Sequence, residues 1–281
     1  MIKKCFAKVN LSLDILKKRA DGYHDIDTIM ARISLYDKLE IKKTGTSEFE
    51  YQSNIDLGHL TDNLIYKAYK KLAPLAYEKG EDLGVAIKLR KNIPLAAGLA
   101  GGSTDCAETI KALNELWDLG LSKKEMAEIG KSLGADIPFF FEESLVRAEG
   151  IGEIITPFTN KVKMKLLLIN DGTEIASSYV YKRTKTYGHI DNEAIICGLE
   201  KGKSEIIDSF ENVMEEVALR DFPHLNTIKE NLLANGASRA LVSGSGATVF
   251  GIFFDDETLD KAYENLKDVY DFVEKVDLID D

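Results

Sequence analysis

The amino-acid sequence predicts a mixed α/β protein of two domains, and three observations carry this. Strand-like and helix-like periodicities alternate along the chain instead of segregating. Val85, Ile87 and Leu89 alternate with Ala86, Lys88 and Arg90, and Ala107, Ile110, Leu113 and Trp117 then recur at three- and four-residue spacing. At 281 residues, 44% hydrophobic and 30% charged, the chain can fill one large or two ordinary cores. Turn signals at 150–153 and at Thr156-Pro157 precede a new set of elements, which places the domains at 1–158 and 159–281.

The elements follow in order. From Cys5 to Ile15 the odd positions are apolar and Lys8, Asn10, Ser12 and Asp14 are even, which predicts a strand with one buried and one solvated face. Lys8 and Asn10 then point the same way. Asp21-Gly22 marks a tight bend before Tyr23 and His24. Strands are expected at 33–43 and 48–52, and a helix is expected after Thr61, its predicted N-cap, with Leu64, Ala68 and Leu72 on one face. Ser122 and Glu125 form a capping box for a helix that stops at Gly134. Later come a strand over 163–170, helices near 177–185, 193–199, 211–219 and 225–234, and two strands around a glycine turn between Arg239 and Phe250. A helix over 255–270 and a strand over 272–278 close the chain.

Composition narrows the function. A net charge of −11 argues against a broad nucleic-acid surface, and the last 27 residues hold eleven acids against three bases, read as a solvated helix face and tail. The three cysteines, Cys5, Cys106 and Cys197, show no metal spacing and read as reduced core thiols of a cytoplasmic protein. No apolar run of secretory or membrane-spanning type occurs, so neither a membrane nor a nucleic acid is expected as a partner. A monomer or weak homodimer is expected.

The chemistry concentrates in the loop Pro94-Leu95-Ala96-Ala97-Gly98-Leu99-Ala100-Gly101-Gly102-Ser103-Thr104, which feeds a helix. First-turn N–H groups without intrahelical partners, a positive dipole end and small side chains make an anion site. Gly101 and Gly102 are expected to let phosphate approach the backbone and to take positive φ. The loop is neither a Walker A motif nor a dinucleotide fingerprint. Asp136 lies between a helix end and the apolar run 137–141, where an acid is strained, paired or working.

The loop resembles the phosphate loop of the GHMP kinases, P-x-x-x-G-L-G/A-G-G-S-S/T. AKVNLSLDILKKRADGYHDIDTIM resembles the first signature of the branch that phosphorylates a cytidylated methylerythritol, and LGADIPFF and SGSGATVF resemble two further family segments. The resemblance covers almost the whole chain. It implies an α+β / α/β two-domain GHMP kinase fold, the N-terminal domain with a left-handed βαβ crossover and the C-terminal domain ferredoxin-like. It also implies ATP-dependent phosphorylation of a tertiary 2-hydroxyl in the non-mevalonate route to isoprenoid precursors. Asp136 would be the proton acceptor and Lys8 its charge partner. Asn10 would orient substrate, Tyr23 and Tyr181 would stack on cytosine, His24 would read its edge, and Ser177 would keep a hydroxyl where threonine is usual. ATP would meet Asn63, Lys91, Pro94, the loop residues from Ala96 to Thr104, and Gly244 and Ser245. Mg²⁺ is expected with the nucleotide, its protein ligands unassigned. Ala100 replaces a loop glycine, and Asp208-Ser209-Phe210-Glu211 stands in for the usual N-D-L-E. The alternatives are a homoserine- or mevalonate-type kinase, which needs no D-G-Y-H element, and an inactive nucleotide-binding module, which needs no acid and lysine.

Overall fold

The computed structural model describes residues 1–142 and 144–279. In chain order its elements are β1 (Ile2–Lys18), β2 (His24–Lys43), β3 (Phe49–Ser53), α1 (Leu64–Glu78), β4 (Val85–Arg90), α2 (Gly101–Leu116) and α3 (Lys123–Lys131). Then follow β5 (Leu145–Gly150), β6 (Ile154–Pro157), β7 (Lys165–Asn170), α4 (Ser177–Tyr181), α5 (Asn192–Glu200) and α6 (Glu215–Asp221). The chain closes with α7 (His224–Ala234), β8 (Arg239–Val242), β9 (Val249–Phe253), α8 (Asp256–Leu266) and β10 (Phe272–Asp277). Short 3-10 turns occupy Leu60–Asp62, Pro138–Phe141 and Ser204–Ser209. No helix of the described residues is long and apolar enough to cross a membrane.

These elements form two compact units. One takes Met1–Ala7, Leu35–Ile93 and Ala100–Glu142; the other takes Lys8–Ser34, Pro94–Leu99 and the described residues beyond Glu142. No single cut at 158/159 produces them, because β1 and β2 each supply residues to both. In the first unit the end of β2 pairs antiparallel with β4, β3 pairs parallel with β4, and α1 makes the crossover between them. Ile65, Ala68 and Leu72 of α1 and Ala107, Ile110 and Leu113 of α2 are buried where the two helices pack. Asn63, not Thr61, is the N-cap of α1: its Oδ1 accepts the Ile65 N–H at 2.8 Å. Residues 60–62 form a 3-10 turn first, which delays the helix. The capping box of α3 is formed as expected, Glu125 Oε2 accepting the Ser122 N–H at 2.9 Å and Ser122 Oγ accepting the Glu125 N–H at 3.3 Å.

In the second unit the start of β2 pairs with β5, and β5 with β6. A four-stranded antiparallel sheet of order β10-β7-β9-β8, with α7 before β8 and α8 before β10, gives the ferredoxin-like βαββαβ arrangement. Leu167, Ile169, Val242 and Val249 of this sheet pack with Leu225, Ile228 and Leu232 of α7 and Leu259 and Leu266 of α8. Helix α6 starts at Glu215 rather than 211, because Leu13 N–H bonds Glu211 O and Val213 N–H bonds Leu13 O, holding 211–213 extended beside β1. Cys5 and Cys106 are core thiols as expected, whereas Cys197 is exposed.

Candidate active site

The polar side of β1 departs most from its sequence pattern. Lys8, Asn10, Ser12 and Asp14 are buried, not solvated. A buried polar group must find partners or cost a few kcal/mol, so each becomes a strut. Lys8 Nζ donates to Asn10 Oδ1 at 2.6 Å and to Gly98 O at 3.0 Å. Asn10 Nδ2 donates to Thr28 Oγ1 at 2.8 Å, and Ser12 Oγ donates to Asn192 Oδ1 at 2.6 Å. Asp14 accepts three backbone N–H groups, from Gly188, His189 and Ile190.

The first half of the glycine-rich loop is fixed by its carbonyls. Ala96 O accepts from Ile175 N–H at 3.3 Å and Ala97 O from Thr248 N–H at 3.2 Å. Gly98 O accepts from Ser243 Oγ at 3.0 Å as well as from Lys8, and Leu99 O accepts from Lys8 N–H at 3.2 Å. Four successive carbonyls are thus engaged. Ala96, Gly98 and Ala100 alternate in the left-handed region, at φ 47°, 76° and 56°. Alternation of this kind turns successive amides into one concavity, the backbone arrangement that binds anions. The two alanines each cost about 1 kcal/mol or more in that region, strain of the sort that marks functional backbone. Gly101 and Gly102, expected to have positive φ, lie instead in the regular first turn of α2. Positive φ falls to the three residues before them, because the chain must reverse before the helix begins.

Gly244 and Ser245 turn between β8 and β9. A Cβ on Gly244 would lie 3.3 Å from Asn10 Oδ1 and 3.4 Å from Gly98 O, so the turn packs against the loop. Ser245 Oγ is 3.0 Å from Ser177 Oγ at the start of α4. Tyr23 is 58% exposed after its turn. His24 is buried, with Tyr181 nearly parallel at 5.2 Å and Tyr187 nearly parallel at 6.5 Å between ring centroids. Tyr181 also packs against the core of its unit, so stacking and packing coexist there. Burial, with Lys18 adding, holds the His24 pKa below its ordinary value, and its Nε2 has no hydrogen-bond partner among the described residues.

In the first unit, Asp136 lies partly buried in the turn between α3 and the 3-10 segment. It is placed by its neighbours: Ile137, Phe139 and Phe140 are buried, and Lys111 Nζ donates to Phe140 O at 2.6 Å. Lys91, expected at the nucleotide, has its side chain only 3% exposed and its ammonium between Asp37 and Asp105, at 2.9 Å from Asp105 Oδ2. Asp37 also accepts the N–H groups of Asn92 and Ile93. A Cβ on Gly101 would lie 3.0 Å from Lys91 Nζ, so this ion cluster sits directly under the first turn of α2.

The cluster predicts a pH effect. Burial pushes the Asp105 carboxyl up, Lys91 pulls it back and Asp37 pushes it up again, leaving it at about 7. In the unfolded chain its value is about 3.9. The folded state therefore binds the proton more tightly, and this group's contribution to stability falls as pH rises from about 4 to about 7. Lys91 is lowered by burial but raised more by its two carboxylates, so its contribution is lost only at alkaline pH. Asp105→Asn is expected to gain stability relative to the unaltered protein as pH rises from 5 to 8, measured by urea midpoints. A difference that stays constant over that range would mean that Asp105 is ionised throughout.

Comparison with known proteins defines the family. Residues 63–143 match the GHMP kinases N terminal domain and residues 200–271 the GHMP kinases C terminal region. The 4-diphosphocytidyl-2-C-methyl-D-erythritol kinase of Thermoanaerobacter pseudethanolicus is 44% identical over 275 residues, covering 96% of this chain and 93% of that protein. The chain belongs to the 4-diphosphocytidyl-2-C-methyl-D-erythritol kinase family of GHMP kinases. A Clostridium botulinum relative of the same name is 38% identical, covering 96% of this chain and 97% of its own. The crystal structure of a 4-(cytidine 5'-diphospho)-2C-methyl-D-erythritol kinase is similar with a TM-score of 0.83 at 30% identity over 99% of both chains. The homoserine kinase of Cytophaga hutchinsonii shares the fold, at a TM-score of 0.70 and 14% identity over 97% of this chain and 95% of that one.

Within this GHMP kinase fold, a polar clamp on the glycine turn lies just beyond Asp208-Ser209-Phe210-Glu211. Asn212 is buried, and its Nδ2 donates to Val242 O at 2.8 Å and Gly244 O at 2.7 Å, while Glu215 Oε1 accepts the Val242 N–H at 2.6 Å. Asn212-Val213-Met214-Glu215, four residues beyond the segment matched to N-D-L-E, thus holds the glycine turn. Its N-x-x-E spacing was the signal available in the sequence.

Proposed function

We propose that this chain transfers the γ-phosphoryl group of ATP to the 2-hydroxyl of 4-diphosphocytidyl-2-C-methyl-D-erythritol. The observation that carries the reading is the niche around His24. A buried imidazole whose Nε2 has no partner among the described residues, beside parallel aromatic rings, suits a planar base that both stacks and hydrogen-bonds. Homoserine and mevalonate have no such group.

Phosphoryl transfer rests on positioning and charge stabilisation. In our reading the amide concavity of residues 96–100 and the first turn of α2, with Ser103 and Thr104, hold the triphosphate. Mg²⁺ would come with the nucleotide, held mainly by its phosphate oxygens; among the described residues no three His, Cys, Asp or Glu cluster to hold a metal by themselves. Asp136 accepts the proton of the attacking hydroxyl, and the Lys8 ammonium offsets charge on the phosphoryl oxygens. Asn10 orients substrate, Tyr23 and Tyr181 face the base, and Ser177 and Ser245 offer hydroxyls. Asn63 as a cap and Lys91 as a buried brace act on the nucleotide through the placement of α1 and α2.

Coupled ADP release tests this with ATP and a panel of the cytidylated substrate, homoserine, mevalonate and galactose. Stoichiometric ADP and product are expected only with the first. Turnover of homoserine or mevalonate with the cytidylated compound inert would overturn the reading.

A further inference from the structure

The two carbonyls at the start of the amide concavity are held by different parts of the chain. Ala96 O accepts from Ile175 N–H, in the segment between β7 and α4, and Ala97 O accepts from Thr248 N–H, in the turn between β8 and β9. Each carbonyl shares a rigid peptide plane with the amide that follows it. Pinning Ala96 O and Ala97 O therefore aims the N–H groups of Ala97 and Gly98. Only the two soft torsions of Ala97 lie between these planes, so the spacing of the two clamping segments sets the angle between the two amides.

Asn170, the last residue of β7, is buried and bonded to both segments. Its Nδ2 donates to Thr248 Oγ1 at 3.0 Å, and its Oδ1 accepts the Gly172 N–H at 2.8 Å. Asn170 and Thr248 continue the register of β7 and β9 one step past the last pair, Ile169 and Val249. Their side chains thus carry the pairing on where the strands end. Other ties to these segments are more open to solvent. Ser177 Oγ meets Ser245 Oγ at 3.0 Å, and His224, at the start of α7, meets Asp171 Oδ2 at 3.1 Å and Thr173 Oγ1 at 3.2 Å. Thr248 is fully buried, and away from water a hydrogen bond is stronger and a lost partner is not replaced.

We propose that Asn170 is a positioning residue for nucleotide binding, setting the spacing of the two segments that aim the Ala97 and Gly98 amides at the phosphates. This rests on the reading of the concavity of residues 96–100 as the triphosphate site. Asn170 acts through Thr248 on one side and Gly172 on the other, not by contact with ATP.

Calorimetric titration with ATP tests this on Asn170→Ala, Thr248→Val, Thr248→Ser, the Asn170→Ala/Thr248→Val double variant and Ser103→Ala. Asn170→Ala and Thr248→Val are each expected to raise Kd for ATP roughly fivefold, the scale of one buried hydrogen bond. The double variant should bind no worse than the worse single one, because both substitutions remove the same bond. Thr248→Ser keeps the hydroxyl and should recover most of the affinity that Thr248→Val loses. A packing role for Thr248 gives the opposite order, since valine keeps the branched shape and serine drops a methyl group. Unchanged ATP affinity in Asn170→Ala overturns the proposal. So do additive losses in the double variant, or Thr248→Ser binding more weakly than Thr248→Val. If Asn170→Ala does not fold, the two Thr248 variants decide. Ser103→Ala separates the two failures: weakened binding there with Asn170→Ala unaffected overturns only the proposal, while unaffected binding in both overturns the reading of the triphosphate site as well.

Discussion

Asp136→Asn is expected to lower kcat by roughly 10²–10⁴-fold, with KM for both substrates little changed. The substitution keeps the size of the side chain and one acceptor oxygen but removes the carboxylate that we propose as the proton acceptor. Packing should not suffer, because the turn is anchored by its neighbours Ile137, Phe139 and Phe140, all buried, and not by the partly buried carboxylate. Single-turnover rates with the cytidylated substrate, together with a thermal melt, separate chemistry from folding. A kcat near that of the unaltered protein would show that the hydroxyl loses its proton late, without help from this side chain, and that the dissociative character of phosphoryl transfer suffices.

Gly98→Ala is expected to remove nucleotide binding and to cost about 3 kcal/mol or more of stability. Gly98 has φ 76°, and a Cβ there would lie 1.9 Å from the carbonyl oxygen of Ser243 and 2.9 Å from its carbon. Both are backbone atoms of the turn before β9, so no rotamer change relieves the clash. The loop must lift away, breaking the bond from Ser243 Oγ to Gly98 O and with it the alternation of left-handed residues that shapes the amide concavity. Gly102→Ala is the control for stability. Its Cβ would meet only Leu64 Cδ1, at 3.7 Å, inside a regular helix turn where alanine is favoured over glycine by about 1 kcal/mol. Thermal melts and ATP titration check both variants, and equal stability of the two would show that the Gly98 contact yields more easily than its geometry says.

Much of this protein was legible in its sequence because the signals are local. Alternation over 85–90 and the 3.6-residue spacing of Ala107, Ile110 and Leu113 depend only on which way successive side chains point, and β4 and α2 stand where they were expected. The capping box at Ser122 and Glu125 is likewise closed within four residues. The phosphate loop and the D-G-Y-H segment are contiguous runs, so the family could be read from them directly. Helix ends were read less well: Thr61 and Asn63 are both good caps, and only the 3-10 turn over 60–62 chooses between them.

What the tertiary structure alone decided was the use of polar residues whose partners lie far off in sequence. An alternating strand predicts a wet face for Lys8, Asn10, Ser12 and Asp14, yet all four are buried, because Gly98 O, Thr28, Asn192 and the amides of 188–190 arrive to satisfy them. Lys91, expected to reach the nucleotide, is instead enclosed by Asp37 and Asp105. The positive φ assigned to Gly101 and Gly102 belongs to Ala96, Gly98 and Ala100, since the place where a chain must reverse depends on what its carbonyls are tied to. Local sequence sets which way a side chain points. Whether water or another part of the chain waits there is settled by contacts between residues up to about 180 positions apart, which no periodicity records.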